Sequence, residues 1–245
     1  MSDTVRCPCC GDEARFVAVE RVAFADVWAG LRRDLGLDPS PEFLARYTPA
    51  PETALEACAR CGFQRFNPAV PGDDAFYKAL SDTGRYYGAP KWEFSWVLAR
   101  AKEARALVDV GCGTGDFLAT SAARFPRAVG LELNPAAAAQ ARARGLDVKT
   151  ERAATFAVTE GRVFDVAVSF HVLEHVEDPV AFLKEIAGCV RPGGSVFLSV
   201  PNRERYYREG VEPLDCPPHH LSRWALPQLE ALGRAAAMPV RAHAH

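Results

Sequence analysis

From residue 106 onward, short β-branched and aliphatic runs alternate with Ala-rich amphipathic segments, and this alternation predicts a parallel α/β sheet. The expected strands cover 106–110, 128–132, 147–150, 164–169 and 195–200. Between them, residues 135–144 open on Pro135 and are closed by Gly145, the usual punctuation of a helix. Residues 179–190 repeat the pattern. Val180, Phe182, Leu183, Ile186, Ala187 and Val190 recur at three- and four-residue intervals, and Arg191-Pro192-Gly193-Gly194 is expected to stop that helix. Further helices are expected at 23–35, 93–105 and 226–237.

Composition narrows the class without naming a ligand. The 245 residues are 49% hydrophobic and 24% charged, which excludes a disordered or low-complexity chain. With 29 basic against 31 acidic residues, and no long Lys/Arg run, nothing resembles a phosphate-binding stripe, so no nucleic-acid partner is expected. No apolar stretch approaches the ~20 residues that span a bilayer, and the opening Met-Ser-Asp-Thr-Val-Arg lacks the apolar core of a signal peptide. A soluble, cytoplasmic protein without a membrane partner is therefore expected.

In such a compartment the eight cysteines are not a disulfide framework. Four form two pairs at metal-knuckle spacing: Cys7 and Cys10 in Cys-Pro-Cys-Cys-Gly, and Cys58 and Cys61 in Cys-Ala-Arg-Cys-Gly-Phe. The C-x-x-C spacing lets two thiolates converge on one ion, and the glycine after each pair lets the backbone turn so that amides point at sulfur. Together the pairs predict a structural Zn²⁺ site in a zinc-ribbon-like segment over residues 1–75, with the helical stretch as an insertion. Cys9 is the rival ligand, and the alternative is a set of reduced, partly buried thiols. Cys112, Cys189 and Cys216 read as small apolar or turn residues.

After the first strand the chain runs Val-Asp-Val-Gly-Cys-Gly-Thr-Gly-Asp, so Asp109, Gly111, Gly113 and Gly115 stand in the order D-x-G-x-G-x-G. Glycines there let backbone approach a ligand, and Glu132 follows the second strand, where a carboxylate can accept from ribose hydroxyls. These motifs resemble the class I S-adenosylmethionine-dependent methyltransferases over residues 86–239. Residues 108–117 look like the cofactor loop, Glu132 like the ribose acid, 164–175 like the fourth-strand motif, and 183–194 like the helix and turn before the fifth strand. The resemblance implies a Rossmann-like, doubly wound, mainly parallel sheet in residues 76–245, with a helical lid before it. It implies cofactor contacts at Tyr86, Asp109, Gly111, Cys112, Gly113, Gly115, Glu132, Leu133, Ala153, Phe170 and His171, with adenine near 152–154. Tyr87 is the alternative to Tyr86, and both have the bland reading of packing the lid. The family's sheet needs two more strands after 226–237, but only one fits in residues 239–245. His243 and His245 there are expected to be solvent-exposed.

The stretch Ser169-Phe-His-Val lacks the N-P-P-Y or D-P-P-Y of enzymes that methylate amide or exocyclic nitrogens, and position 171 lacks a cysteine nucleophile. His171-Val-Leu-Glu-His175 instead resembles the H-x-L-E-H segment of small-molecule O-methyltransferases, where acids and a histidine accompany a divalent ion. Here Glu174 and His175 are expected to brace the loop beneath the cofactor rather than hold a metal. Downstream, Pro217 and Pro218 stiffen the chain just before His219 and His220, and an imidazole titrates near neutrality, so His219 is the first candidate base, with His220 holding the loop and His171 as the other catalytic candidate. Ser222 is expected to cap the helix beginning near Ala225. The reading is methyl transfer to a small-molecule hydroxyl, of a sugar, natural product or related metabolite. The alternatives are a zinc-finger RNA methyltransferase, which the absence of basic clusters disfavours, and a binding module without turnover.

Overall fold

The computed structural model describes residues 4–86, 91–204, 211–241 and 243. In chain order the strands are β1 (Val5–Arg6), β2 (Glu13–Ala14), β3 (Phe16–Ala23), β4 (Glu52–Cys58), β5 (Gln64–Asn67), β6 (Ala106–Val110), β7 (Arg127–Leu131), β8 (Val148–Lys149), β9 (Phe164–Phe170), β10 (Val190–Ser199) and β11 (Ser222–Arg223). The helices are α1 (Phe24–Leu35), α2 (Pro41–Tyr47), α3 (Asp74–Asp82), α4 (Trp92–Arg100), α5 (Asp116–Ser121), α6 (Pro135–Ala143), α7 (Ala153–Glu160), α8 (Pro179–Gly188) and α9 (Leu226–Ala235). No helix among the described residues is long and apolar enough to cross a membrane.

The chain divides into two compact units, one of Met1–Gly84, Glu174–Val180 and Pro201–His245, the other of Arg85–Leu173 and Ala181–Val200. This differs from the linear division at 75/76 expected from the sequence. The reason is long-range pairing: β11 joins the N-terminal sheet, antiparallel to β5 with Ser222 opposite Arg65. The buried Trp224 packs on Phe63 with ring centroids 4.9 Å apart.

In the first unit the antiparallel sheet has the order β11-β5-β4-β3, and α1 and α2 are inserted between β3 and β4. Helix α1 buries Phe24, Val27, Leu31 and Leu35, one stripe at three- and four-residue spacing, and ends at a left-handed Gly36 whose N–H returns to the Arg32 carbonyl at 2.9 Å. Ser40 caps α2 by accepting from Phe43 N–H, and Asp73 caps α3 by accepting from the N–H groups of Ala75 and Phe76. Trp28, Phe43, Tyr47 and Phe76 gather between these helices. The adjoining Tyr77 points its hydroxyl at His175.

The second unit is the expected parallel sheet, five strands in the order β10-β9-β6-β7-β8, every pairing parallel. Helices cover it in two layers of apolar contacts. Phe117, Leu118, Ala138 and Ala141 lie in one cluster with Leu107 and Val168, and Phe156 and Ile186 lie in another with Val108 and Ala167. Asp165 ties three strands at their starts: its Oδ2 accepts from Arg105 N–H and Ala106 N–H at 2.6 and 2.9 Å, and its Oδ1 from Arg191 Nε at 2.5 Å.

Three local expectations are corrected. The last strand begins at Val190, ahead of residues 191–194 rather than after them. β10 bulges at 191–194: Val190 pairs with Phe164, and pairing resumes at Ser195 opposite Val166. Helix α4 stops at Arg100, five residues early, because the Arg124 guanidinium takes the carbonyls of Ala101 and Ala104. Among the described residues no strand follows α9.

Candidate active site

The candidate site in the second unit is built where β6 and β7 end. Gly111 N–H donates to the Leu131 carbonyl at 2.7 Å, and Cys112 N–H reaches the same oxygen at 3.2 Å, so the glycine loop hangs from the neighbouring strand. Glu132, one residue past β7, holds the loop from the side. Its Oε2 accepts from Gly113 N–H at 2.8 Å and its Oε1 from Asn134 N–H at 2.7 Å. Gly111 has φ of 76°, and a Cβ there would lie 2.4 Å from Val172 Cγ2, so both backbone angle and space demand glycine. Arg144 closes the far side, donating to the Thr114 carbonyl and Asp116 Oδ1 at 2.6 and 2.7 Å. Asp109 is almost wholly buried at the end of β6; burial and the Glu132 charge push its carboxyl up to about 8, against the pull of Lys91. Its Oδ1 finds no hydrogen bond among the described residues.

The Val172 contact also brings the start of the fourth-strand loop against the glycines. His171, beside it, has φ of 56°, a left-handed angle unusual for a residue with a side chain. Its N–H is anchored on the Ser199 carbonyl at 3.0 Å, and its Nε2 lies 2.9 Å from Glu93 Oε1 on α4. Burial opposes ionisation of Glu93, but the His171 hydrogen bond, its own amide and Lys91 hold its carboxyl below the usual range. The imidazole is thus oriented by a carboxylate, the arrangement of a held general base. No spacing rule joins positions 93 and 171, and Glu93 was not singled out from the sequence.

Residues 89–237 match the family model described as "Methyltransferase domain". The chain belongs to that family. Among curated proteins, it is 37% identical over 102 residues to the ubiquinone biosynthesis O-methyltransferase of Parvibaculum lavamentivorans, covering 39% of this chain and 40% of that protein. It is 36% identical over 116 residues to the same-named protein of Xanthomonas axonopodis pv. citri, covering 44% and 48%. The chain therefore spans less than half the length of these relatives. Among solved structures, the sugar N-methyltransferase KedS8 from Streptoalloteichus sp. shares 28% identity over 59% of this chain and 62% of that one, with a TM-score of 0.45.

In this methyltransferase-domain protein the other expected cofactor residues are distributed unevenly. Leu133 is exposed beside Glu132, and Ala153 opens α7 as its first, buried residue. Phe170 packs on Phe94 and Phe117 at centroid distances of 5.2 and 4.9 Å, and Cys112 belongs to the same core cluster. Gly115 precedes α5 as its N-cap, with φ of 82°. Tyr86 is half-buried, whereas Tyr87 and His245 lie outside the described residues; His243 is exposed.

The first unit holds two further groups. Cys7, Cys10, Cys58 and Cys61 converge, their sulfurs within 4.8 Å of one another, and Cys7 Sγ lies 3.8 Å from Cys61 Sγ. With Zn–S bonds of ~2.3 Å, the edge of a tetrahedral thiolate site is about 3.8 Å long, so the four could hold zinc with little movement. Each knuckle closes by paired hydrogen bonds: Gly11 N–H to Cys7 O at 2.9 Å and Cys7 N–H to Asp12 O, then Gly62 N–H to Cys58 O at 2.8 Å and Cys58 N–H to Phe63 O. Burial pushes the Cys7 thiol up, and Cys61 to about 12. Cys58 is also opposed by burial, but the amides of Cys61 and Arg60 draw it down. Cys9 turns away to the Gln228 carbonyl.

The second group gathers His175, His219 and His220. His171, Glu174 and His175, close in sequence, therefore serve different neighbours: His171 meets Glu93, His175 joins His219 and His220, and Glu174 lies beside His220. His219 is buried at 6% exposure; burial, then His220 and His175, hold its pKa well below the ordinary value. Ser222 does not cap α9. It sits in β11, accepts from Trp224 Nε1 at 2.9 Å and donates to the Glu174 carbonyl.

Proposed function

We propose that this protein transfers a methyl group from S-adenosylmethionine to a hydroxyl of a small molecule, and that His171, oriented by Glu93, removes the hydroxyl proton. The observation that carries the reading is the contact of Gly111 with Val172, which sets the His171–Glu93 pair beside the glycine loop at the carboxyl edge of the sheet. S-adenosylmethionine, when bound, supplies a methyl already activated on a sulfonium. The chain's own residues fit it: the two Glu132 oxygens, each holding one backbone N–H, have further lone pairs for ribose hydroxyls, and Gly113 carries no side chain to block approach. Asp109 adds a buried carboxyl beneath the loop. The O-methyltransferase names of the curated relatives support a hydroxyl acceptor. The net charge of −2 supports a small molecule over RNA.

The base is assigned to His171 rather than His219, because His171 lies in the same unit as the glycine loop and is the histidine held by a carboxylate there. We also propose a structural zinc on Cys7, Cys10, Cys58 and Cys61, supported by their convergence and the two amide-lined knuckles.

Methyl-labelled S-adenosylmethionine, offered to the full chain with a panel of hydroxyl-bearing sugars and phenols, tests the reaction. Label is expected in one acceptor class, with His171→Gln lowering turnover ~10²- to 10⁴-fold and leaving cofactor affinity nearly intact. Equal turnover in His171→Gln would contradict the role of the dyad. Cofactor binding without transfer to any acceptor would favour a binding module.

A further inference from the structure

Apart from the cysteine cluster, the three histidines of the first unit are the one group among the described residues with converging metal-ligand atoms. One ring nitrogen from each of His175, His219 and His220 lies within 4.8 Å of the others, and the ring centroids are 4.7, 4.9 and 4.5 Å apart. Loop geometry brings them together. His219 N–H and His220 N–H both donate to the Cys216 carbonyl, Gly72 N–H holds the Pro218 carbonyl at 2.8 Å, and Leu221 N–H takes the Glu174 carbonyl at 2.9 Å.

Hydrogen bonds fix the protonated nitrogen of two of the rings. His219 Nδ1 lies 2.7 Å from the Leu214 carbonyl, and His175 Nδ1 lies 2.5 Å from the His219 carbonyl and 3.1 Å from the Tyr77 hydroxyl. A carbonyl only accepts, so both Nδ1 atoms are protonated and both lone pairs are on Nε2. His220 stands between two carboxylates, with Nδ1 3.3 Å from Asp215 Oδ1 and Nε2 3.7 Å from Glu174 Oε1. Two imidazoles with Nδ1 held by a backbone carbonyl, and a third set between buried carboxylates, match the outer-shell support that metal-bound histidines receive. Glu174 and Asp215 are both almost fully buried, and their charges would balance a divalent cation. Imidazole nitrogen suits a first-row transition ion rather than Mg²⁺ or Ca²⁺. His175 is only half-buried, which gives the ion a way in.

We propose that His175, His219 and His220 bind a divalent first-row transition-metal ion, with Glu174 and Asp215 as buried carboxylates beside His220. The site is separate in chemistry from the thiolate cluster, and it does not rest on the methyl-transfer reading.

Chelator-stripped full-length protein titrated with Co²⁺ alone tests it. Cobalt on thiolates gives an intense sulfur-to-metal charge-transfer band, whereas cobalt on imidazole and carboxylate gives weak visible bands only. Uptake is expected to include about one equivalent without charge transfer, absent in His219→Gln/His220→Gln while any thiolate band persists. Saturation by thiolate-bound cobalt alone would overturn the proposal, as would a charge-transfer-free equivalent that survives in the double variant. X-ray absorption at the cobalt edge of the unmutated protein reads the same question without a variant: a nitrogen and oxygen shell supports the site, and a purely sulfur shell at saturation overturns it. Neither readout involves turnover, so its failure is distinct from failure of the proposed reaction.

Discussion

Gly111→Ala probes the loop at its tightest point. Alanine at φ of 76° costs about 1–2 kcal/mol, because Cβ crowds the following carbonyl in the left-handed region. The new Cβ would also lie 2.4 Å from Val172 Cγ2. Overpacking of this kind costs about 1–3 kcal/mol, and the half-buried Val172 can turn aside, so the lower end applies. The sum is about 2–3 kcal/mol, read in urea unfolding followed by circular dichroism as a lower midpoint with unchanged slope. The two parts separate in a Val172→Ala background, where the collision disappears and the penalty falls to the backbone part of about 1–2 kcal/mol. A penalty under about 0.5 kcal/mol in Gly111→Ala would refute the reasoning, as would an equal penalty in both backgrounds.

Asp165→Asn is expected to lower stability by about 1–2 kcal/mol at neutral pH, through loss of charge-assisted bonds from Arg105 N–H, Arg191 and Ala106 N–H. Those bonds hold the carboxyl at about 2, below its ordinary 3.8. The folded value is depressed, so the contribution is complete above 3.8 and vanishes as pH falls through about 2. Unfolding curves of the two proteins should converge at that acid end, and a constant gap would contradict the assignment. Cys58→Ser/Cys61→Ser should remove about one zinc per chain in metal analysis, and full zinc retention would exclude the thiolate site.

The parts of the structure written in local pattern were legible in the sequence. Strand 106–110, the glycine loop, Glu132 and both cysteine knuckles stand where spacing and turn chemistry put them. Local pattern also misled. Pro192-Gly193-Gly194 reads as a stop and does interrupt the ladder, yet β10 already begins before it, at Val190 paired with Phe164. Features made by distant segments had no sequence signal. Glu93 meets His171, His175 meets the His219–His220 loop, and β11 pairs with β5 only after the chain has built the other unit's sheet. His171 and His175 stand four residues apart in one short motif. The left-handed turn at His171 and the docking of Leu221 on Glu174 assign them to different neighbours.

The central claim is that the glycine loop and Glu132 hold S-adenosylmethionine, and calorimetric titration of the intact chain with that cofactor tests it most directly. Binding at one site is expected, with Glu132→Ala weaker by about 10- to 100-fold, since charge-assisted hydrogen bonds to a carboxylate contribute about 1.5–3 kcal/mol. No binding by the intact chain, or equal affinity in Glu132→Ala, would contradict the account.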